Sequence, residues 1–248
     1  GNCKIHTFTG PGTFAVTCAA LCAADNVVSY VIVAGGGGAG SFHGGGGGAG
    51  GLREVISPSS PYSGSPLNGY PSTPNRVTVS ASPGSYPIVV GAGGVGKRGP
   101  SAPGGPNTPT SGADSSFGGI TSAGGGKGGG DTSGANQVGT AGGSGGGGQN
   151  GVSGNPGGPA GGAGNTPPVS PSQGNNGGAG STGPNCGSTT GGGGGASAVG
   201  DTGQTPGSAP FTNMGACGGA GTANSITGSS VTYAGGGGGV RQYTPGSG

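Results

Sequence analysis

Charge is the first scarcity in this chain. Seven Lys and Arg stand against five Asp and Glu in 248 residues, and between Thr132 and Val240 the sole charged residue is Asp201. Binding a phosphate backbone needs clustered cations, so no nucleic-acid partner is expected. Long apolar runs are missing as well. None reaches the roughly 18 residues of a membrane-spanning helix, so no membrane insertion is expected. The chain opens on Gly1 with neither methionine nor a signal-peptide pattern, which leads us to expect a processed or partial chain.

Catalytic equipment is equally thin. The histidines are His6 and His43, and the acids Asp25, Glu54, Asp114, Asp131 and Asp201 are isolated, without paired-carboxylate spacing. The many serines lack a nucleophile elbow. Two glycine motifs imitate cofactor loops. Gly35-x-Gly37-x-x-Gly40 follows an apolar run, with Glu54 near the usual acidic offset, but a dinucleotide loop must open a helix. Here Ser41-Phe42-His43 leads only into more glycine. Gly91-x4-Gly96-Lys97 imitates a phosphate-binding loop, yet Arg98 stands where Ser or Thr must hold magnesium, and Gly99-Pro100 forbids the helix. We therefore expect no enzyme, no cofactor and no metal site.

Five cysteines occur, Cys3, Cys18, Cys22, Cys186 and Cys217. All are disulfide candidates, and their odd number leaves at least one free or joined to another chain. Cys186 and Cys217 lie in the glycine-rich half, where a staple would help most. A zinc site is the rival reading, weakened by the spacing Cys18-x3-Cys22 followed by scattered cysteines.

What the chain does have is glycine, 75 residues, beside 21 prolines. Together they exceed the roughly 25–30% at which a non-periodic chain is presumed low-complexity. Collagen is excluded, because glycine keeps no three-residue frame. Residues 30–52 organise the rest: an apolar run with β-branched Val31, Ile32 and Val33, then two glycine blocks split by Ser41-Phe42-His43. The run reads as a buried strand. The blocks fit neither helix nor strand, where each glycine costs about 0.5–1 kcal/mol against alanine. That leaves disorder or an extended polyproline-II-like helix, whose outward N–H and C=O groups all need lateral partners. Net hydrogen bonds of about 0.5–1.5 kcal/mol roughly balance the backbone entropy. A bundle of such helices therefore needs an anchor.

The first third supplies one. Residues 4–17 read as a hairpin turning at Gly10-Pro11-Gly12, 27–33 and 52–56 as strands, and 57–75 as a surface excursion. Residues 76–81 and 86–90 flank Pro83-Gly84 as a second hairpin. From Gly91 onward glycine dominates, in blocks at 124–130, 145–148, 191–195 and 235–239 separated by Ser, Thr, Asn and Pro loops. The expected fold is mainly β: a small antiparallel β-sandwich unit over 1–92, fused to a bundle of polyglycine-II helices over 93–248, packed as one unit without substantial α-helix.

The order of motifs resembles the glycine-rich domain of phage tail-fibre adhesins and virion-surface proteins. The resemblance rests on IHTFTGPGTFAVT at 5–17, YVIVAGGGGAG at 30–40, GGGGGAGGLRE at 44–54, YPIVVGAGGVG at 86–96, SSFGGITSAGGG at 115–126, SQGNNGGAG at 172–180 and SSVTYAGGGGG at 229–239. Glycine-rich receptor ectodomains of the anaplastic lymphoma kinase type and glycine-helix antifreeze proteins are similar in plan. The chain departs from the family in ending at Tyr243-Thr244-Pro245-Gly246, where a β-branched closing strand is common.

The resemblance implies loops at the ends of the glycine helices that contact a host-cell surface receptor. Carried onto this chain, the receptor-contact candidates are Phe42, His43, Tyr62, Tyr70, Lys97, Arg98, Phe211 and Met214; aromatic and Arg residues are favoured contact anchors. Two functions are then open, both on the virion surface or outside the cell. One is a virion-surface structural protein aiding attachment, with other copies of itself or other fibre proteins as partners, as a homo-oligomer. The other is a subunit of a self-assembling extracellular filament.

Overall fold

Strands form where β-branched and aromatic residues concentrate. In the computed structural model, which describes residues 4–41, 43–97, 108–130, 137–150, 158–181, 189–204 and 215–240, ten short strands occur. They are β1 (Gly12–Ala15), β2 (Val27–Val28), β3 (Tyr30–Val33), β4 (Leu52–Val55), β5 (Val77–Thr78), β6 (Ser85–Val89), β7 (Ser115–Phe117), β8 (Ile120–Ser122), β9 (Thr222–Asn224) and β10 (Val231–Tyr233). The chain is mainly β, and the described residues contain no α-helix; 3-10 turns occur at Ala23–Asn26 and Thr73–Asn75.

The sheets are small and antiparallel. One has four strands in the order β1-β6-β7-β8; the pairs β2-β5, β3-β4 and β9-β10 complete the set. Three of these sheets share one apolar cluster of Tyr30, Ile32, Val55, Val77, Val79 and Phe117, with Phe14, Tyr86, Ile88 and Ile120 packed against it. Phe117 sits among three rings, Phe14, Tyr30 and Tyr86, at centroid distances of 5.8, 6.1 and 6.3 Å in edge-on geometry, an arrangement the ring quadrupoles favour. The β7-β8 turn that delivers Phe117 needs glycine twice, at Gly118 (φ 55°) and Gly119 (φ 84°).

Several sequence expectations are corrected here. Neither local hairpin forms. β1 pairs with β6, and β5 pairs with β2, so partners separated by 49 positions or more replace neighbours across Gly10-Pro11-Gly12 and Pro83-Gly84 (Val28↔Val77; Gly12↔Ile88). Burial explains the exchange: Phe14 and Tyr86 reach the common cluster only when their strands lie side by side. His6 is not on a strand; it meets Phe14 edge-on at 5.1 Å. The run 27–33 breaks at Ser29 into strands of two different sheets. Strands β7 to β10 lie in the stretch read as glycine blocks separated by Ser, Thr, Asn and Pro loops, and β7 and β8 extend the sheet begun by β1 and β6.

The core strands run on into the glycine-rich segments: β3 into 34–40, β6 into 91–97, β8 into 123–130, while 44–51 leads into β4 and 108–114 into β7. Away from the sheets these segments bond sideways mainly through backbone groups, with a few side chains such as Thr110, Asp114 and Thr140 joining in. The rule of the bonding is visible in 189–196. Thr190, Gly193 and Ala196 donate to Val240, Gly237 and Ala234; Gly191 and Gly194 donate to Gly148 and Gly145; Gly192 and Gly195 donate to Asp201 and Ala198. Each third N–H thus returns to the same neighbour. In 143–150 the same cycle appears, with Ser144 and Gly147 donating to Ala49 and Gly46, Gly145 and Gly148 to Asn175 and Gly178, and Gly146 and Gln149 to Thr140 and Gln137.

Segments 143–150 and 189–196 are each enclosed by six others. Around 143–150 stand 44–51, 123–130, 137–142, 158–164, 173–181 and 189–196, every adjacent pair hydrogen-bonded to its next. Segments 44–51, 143–150 and 189–196 are buried along their whole length. Three peripheral segments differ in composition: in 137–142, 158–164 and 215–221 the exposed positions recur every third residue and carry side chains, as at Val138 and Ala141, Ala160 and Ala163, and Cys217 and Ala220.

Candidate functional site

The segments place two separate groups of candidate residues, one at each end of the glycine layer. At the end far from the apolar cluster, Gly40 donates to Gly45, Lys97 N–H donates to Ala39 at 3.0 Å, and Lys97 Nζ reaches the Gly130 carbonyl at 3.1 Å. The Asn150 N–H donates to the His43 carbonyl at 3.2 Å. Ser181, Thr189, Gln204 and Val240 lie at this same end, through Ser181 N–H to Thr189, Thr189 N–H to Gln204 and Thr190 N–H to Val240. His43 and Lys97 therefore share one end face. Phe42, Arg98, Phe211 and Met214 lie outside the described residues.

Tyr62 and Tyr70 belong to the opposite end, in the 57–75 excursion over the sheets. Segment 34–40 runs from the β3 end to the other and separates the two groups. The excursion is tied down by buried and half-buried polar side chains. Glu54 accepts from Ser65 N–H at 2.7 Å and Ser65 Oγ at 2.8 Å, and Asn68 Oδ1 accepts from Ile56 and Tyr70 N–H at 2.9 and 3.0 Å. Arg53 Nη2 donates to Asn75 Oδ1 at 2.6 Å, and Tyr30 Oη donates to the Asn75 carbonyl at 2.6 Å. Arg53 and Glu54 are both buried, and these partners offset the cost of removing their charges from water. Burial pushes the Tyr30 hydroxyl up to about 12, while the nearby Arg53 charge pulls the other way.

Tyr70 packs against the apolar cluster and carries the Arg76 guanidinium 4.3 Å over its ring, with Arg76 Nε donating to the Tyr70 carbonyl at 2.7 Å. Arg76 was not singled out from the sequence. Its signal, an Arg six positions after an aromatic residue, becomes legible only once the Thr73–Asn75 turn folds one onto the other. Arg76 also lines a shallow cleft of about 550 Å³ with Thr78, Tyr86, Ser116 and Thr121. A second cleft, of about 350 Å³, is lined by Thr189, Asp201, Gln204 and Cys217. Neither joins an acid to a base in the manner general acid–base catalysis requires.

Cys18, Cys22 and Cys217 carry free thiols at exposed positions, so Cys18 and Cys22 are not bonded to one another; Cys3 and Cys186 lie outside the described residues. Among the described residues no group of three or more His, Cys, Asp or Glu could hold a metal ion, and no helix is long and apolar enough to cross a membrane.

Comparison with curated proteins and with solved structures finds no match to this chain. A family does match, the glycine-rich domain, over residues 8–248. Nearly the whole chain, from before β1 through the last glycine block, falls within that match, and the chain belongs to the glycine-rich domain family.

Proposed function

We propose that the protein is a non-enzymatic structural protein of a virion surface, of tail-fibre, capsid-fibre or decoration type, in which a bundle of polyglycine-II rods holds contact residues at one end for attachment to a host surface. The observation that carries the rod reading is the three-residue cycle of hydrogen-bond partners in 143–150 and 189–196. A β-strand has a period of two, whereas a helix with three residues per turn presents N–H groups in three directions. Residues 124–130 and 191–195, the blocks on which the rod idea depends most, bond across to neighbours instead of running through solvent. The virion setting is supported by the motif order described above, and the attachment role by the convergence of His43 and Lys97 on the end face remote from the apolar base.

Amide hydrogen exchange tests the rods directly. Three consecutive amides, Gly191, Gly192 and Gly193, are expected to be protected alike, because each donates to a different neighbour. On the peripheral rod 91–97, Gly94 and Lys97 are expected to exchange slowly, and Gly93 and Gly96 fast. Protection alternating every second residue would replace rods by strands. For the setting, immunogold labelling with antibodies to this chain is expected to decorate the outside of intact particles; gold confined to the cell interior would overturn it.

A further inference from the structure

Among the described residues, the glycine rods are not enclosed on every side. Around 44–51 the ring runs 34–40, 123–130, 143–150, 189–196, 234–240, each bonded to the next, and stops: no hydrogen bond joins 234–240 to 34–40. Around 34–40 the ring runs 44–51, 123–130, 108–114, 91–97, and it too stops, on the same side. One open face therefore passes across 91–97, 34–40 and 234–240.

This face has an unusual composition. Almost everywhere in the rods a Cβ added to glycine would strike a neighbouring backbone, so glycine is required by packing. The exceptions within the rods are Gly36, Gly93, Gly96, Gly235 and Gly238, where a Cβ would meet nothing closer than 3.4 Å. All five lie on the three rods of the open face. Moreover, Gly93, Gly96, Gly235 and Gly238 neither donate nor accept a backbone hydrogen bond. Equivalent unbonded rows elsewhere are covered by side chains, Val138 and Ala141 on one rod and Val199 and Thr202 on another. Side chains at such positions keep a further backbone away, as charged and bulky residues do on exposed strand edges. Glycine does the opposite.

We infer that this face is a self-association surface, on which a second copy of the chain lays its own 91–97 or 234–240 rod so that unpaired N–H and C=O groups bond between copies. The occupant must itself be an extended rod with glycine at every third position, since any side chain there would hold the backbones apart. Rods 91–97 and 234–240 have that pattern and lie on the face itself, which makes it self-complementary, as a two-fold interface between identical copies must be. The inference rests on the rod reading given above, and bears on whether the protein works singly or in an assembly.

Sedimentation velocity over a concentration series tests it, with Gly93→Val and Gly235→Val as variants. Both side chains would point into open space, so the fold is expected to survive. The wild type is expected to associate reversibly, with a dissociation constant below about 1 mM, and each variant to weaken that association about tenfold or more at unchanged melting temperature. Ala163→Val, on a rod away from the open face, is expected to associate like the wild type. A wild type that stays monomeric, or variants that associate as strongly as it does, would overturn the inference and leave the face to a different partner. Hydrogen exchange on the same samples keeps the two readings apart: period-three protection with no association refutes only the interface.

Discussion

The apolar base and the glycine layer are continuous in the chain yet hold together by different means. In the base, Phe117, Tyr30, Ile32 and Val55 bury side chains against one another, and backbone bonds need only connect strands of two to five residues. In the layer there are almost no side chains to bury, and segments such as 189–196 are held by backbone N–H groups shared among three neighbours. The base can relax around a change of side-chain volume, because side chains have rotamers. The layer has no such reserve: its spacing is the contact distance between backbones, so one methyl group acts on several segments together.

The sharpest way to break this contrast is Gly147→Val. A Cβ there would fall on the Gly191 carbonyl, in the middle of two fully enclosed segments. Backbone cannot swing aside as a side chain can, so segments 143–150 and 189–196 must separate and give up their mutual bonds. Overpacking of an ordinary core costs about 1–3 kcal/mol, and we expect more than that here, with loss of cooperative unfolding in calorimetry. A variant melting within a few degrees of the wild type would mean that the layer is as compliant as the base.

Much of this division was legible in the sequence, and the reason for the remainder is physical. The apolar run at 30–33 and the glycine blocks on either side of Ser41-Phe42-His43 announced a strand continuing into something that was neither strand nor helix. Pairing was not legible. Residues 4–17 and 76–90 carry good turn signals, but local turn propensity is worth less than bringing Phe14, Tyr86 and Phe117 into one cluster, and that cluster is assembled from distant parts of the chain. The strands β7 and β8 were hidden because Gly118-Gly119 looks like one more glycine block; only the positive φ values reveal a turn. Of the contact candidates, His43 and Lys97 could not be grouped from sequence, nor could Tyr70 be separated from them, because the length of a glycine segment is what divides the two ends.

The base can be probed by pH without altering its packing. The Tyr30 hydroxyl is raised to about 12 in the folded state by burial, above the ordinary value near 10. A raised folded value means that the neutral phenol is favoured, so its contribution is complete below about pH 10 and is lost as pH rises from there toward 12. Denaturation midpoints followed from pH 8 to 12 are expected to fall in that window, by up to roughly 2–3 kcal/mol of stability. Tyr30→Phe removes the titration and the hydrogen bond to Asn75 together. It is expected to be about 1 kcal/mol less stable than wild type at neutral pH but flatter across the alkaline range. An equal alkaline fall in both proteins would assign the effect to other groups.

The smallest effect is expected where the layer meets solvent, and it tests whether position within the three-residue cycle, not glycine content as such, governs tolerance. Ala141 and Ala163 are exposed, each three residues from another exposed side chain, Val138 and Ala160 respectively. Gly142, one position after Ala141, is buried, and a Cβ there would press on the backbone of 123–130. Ala141→Val and Ala163→Val should therefore change stability by no more than about 0.5 kcal/mol, as for ordinary surface positions, whereas Gly142→Ala should behave like an interior substitution. The comparison holds neighbouring residues in one segment to opposite outcomes. Similar losses at 141 and 142 would show that the segment has no fixed rotation about its axis, and a cycle of three partners requires that rotation to be fixed.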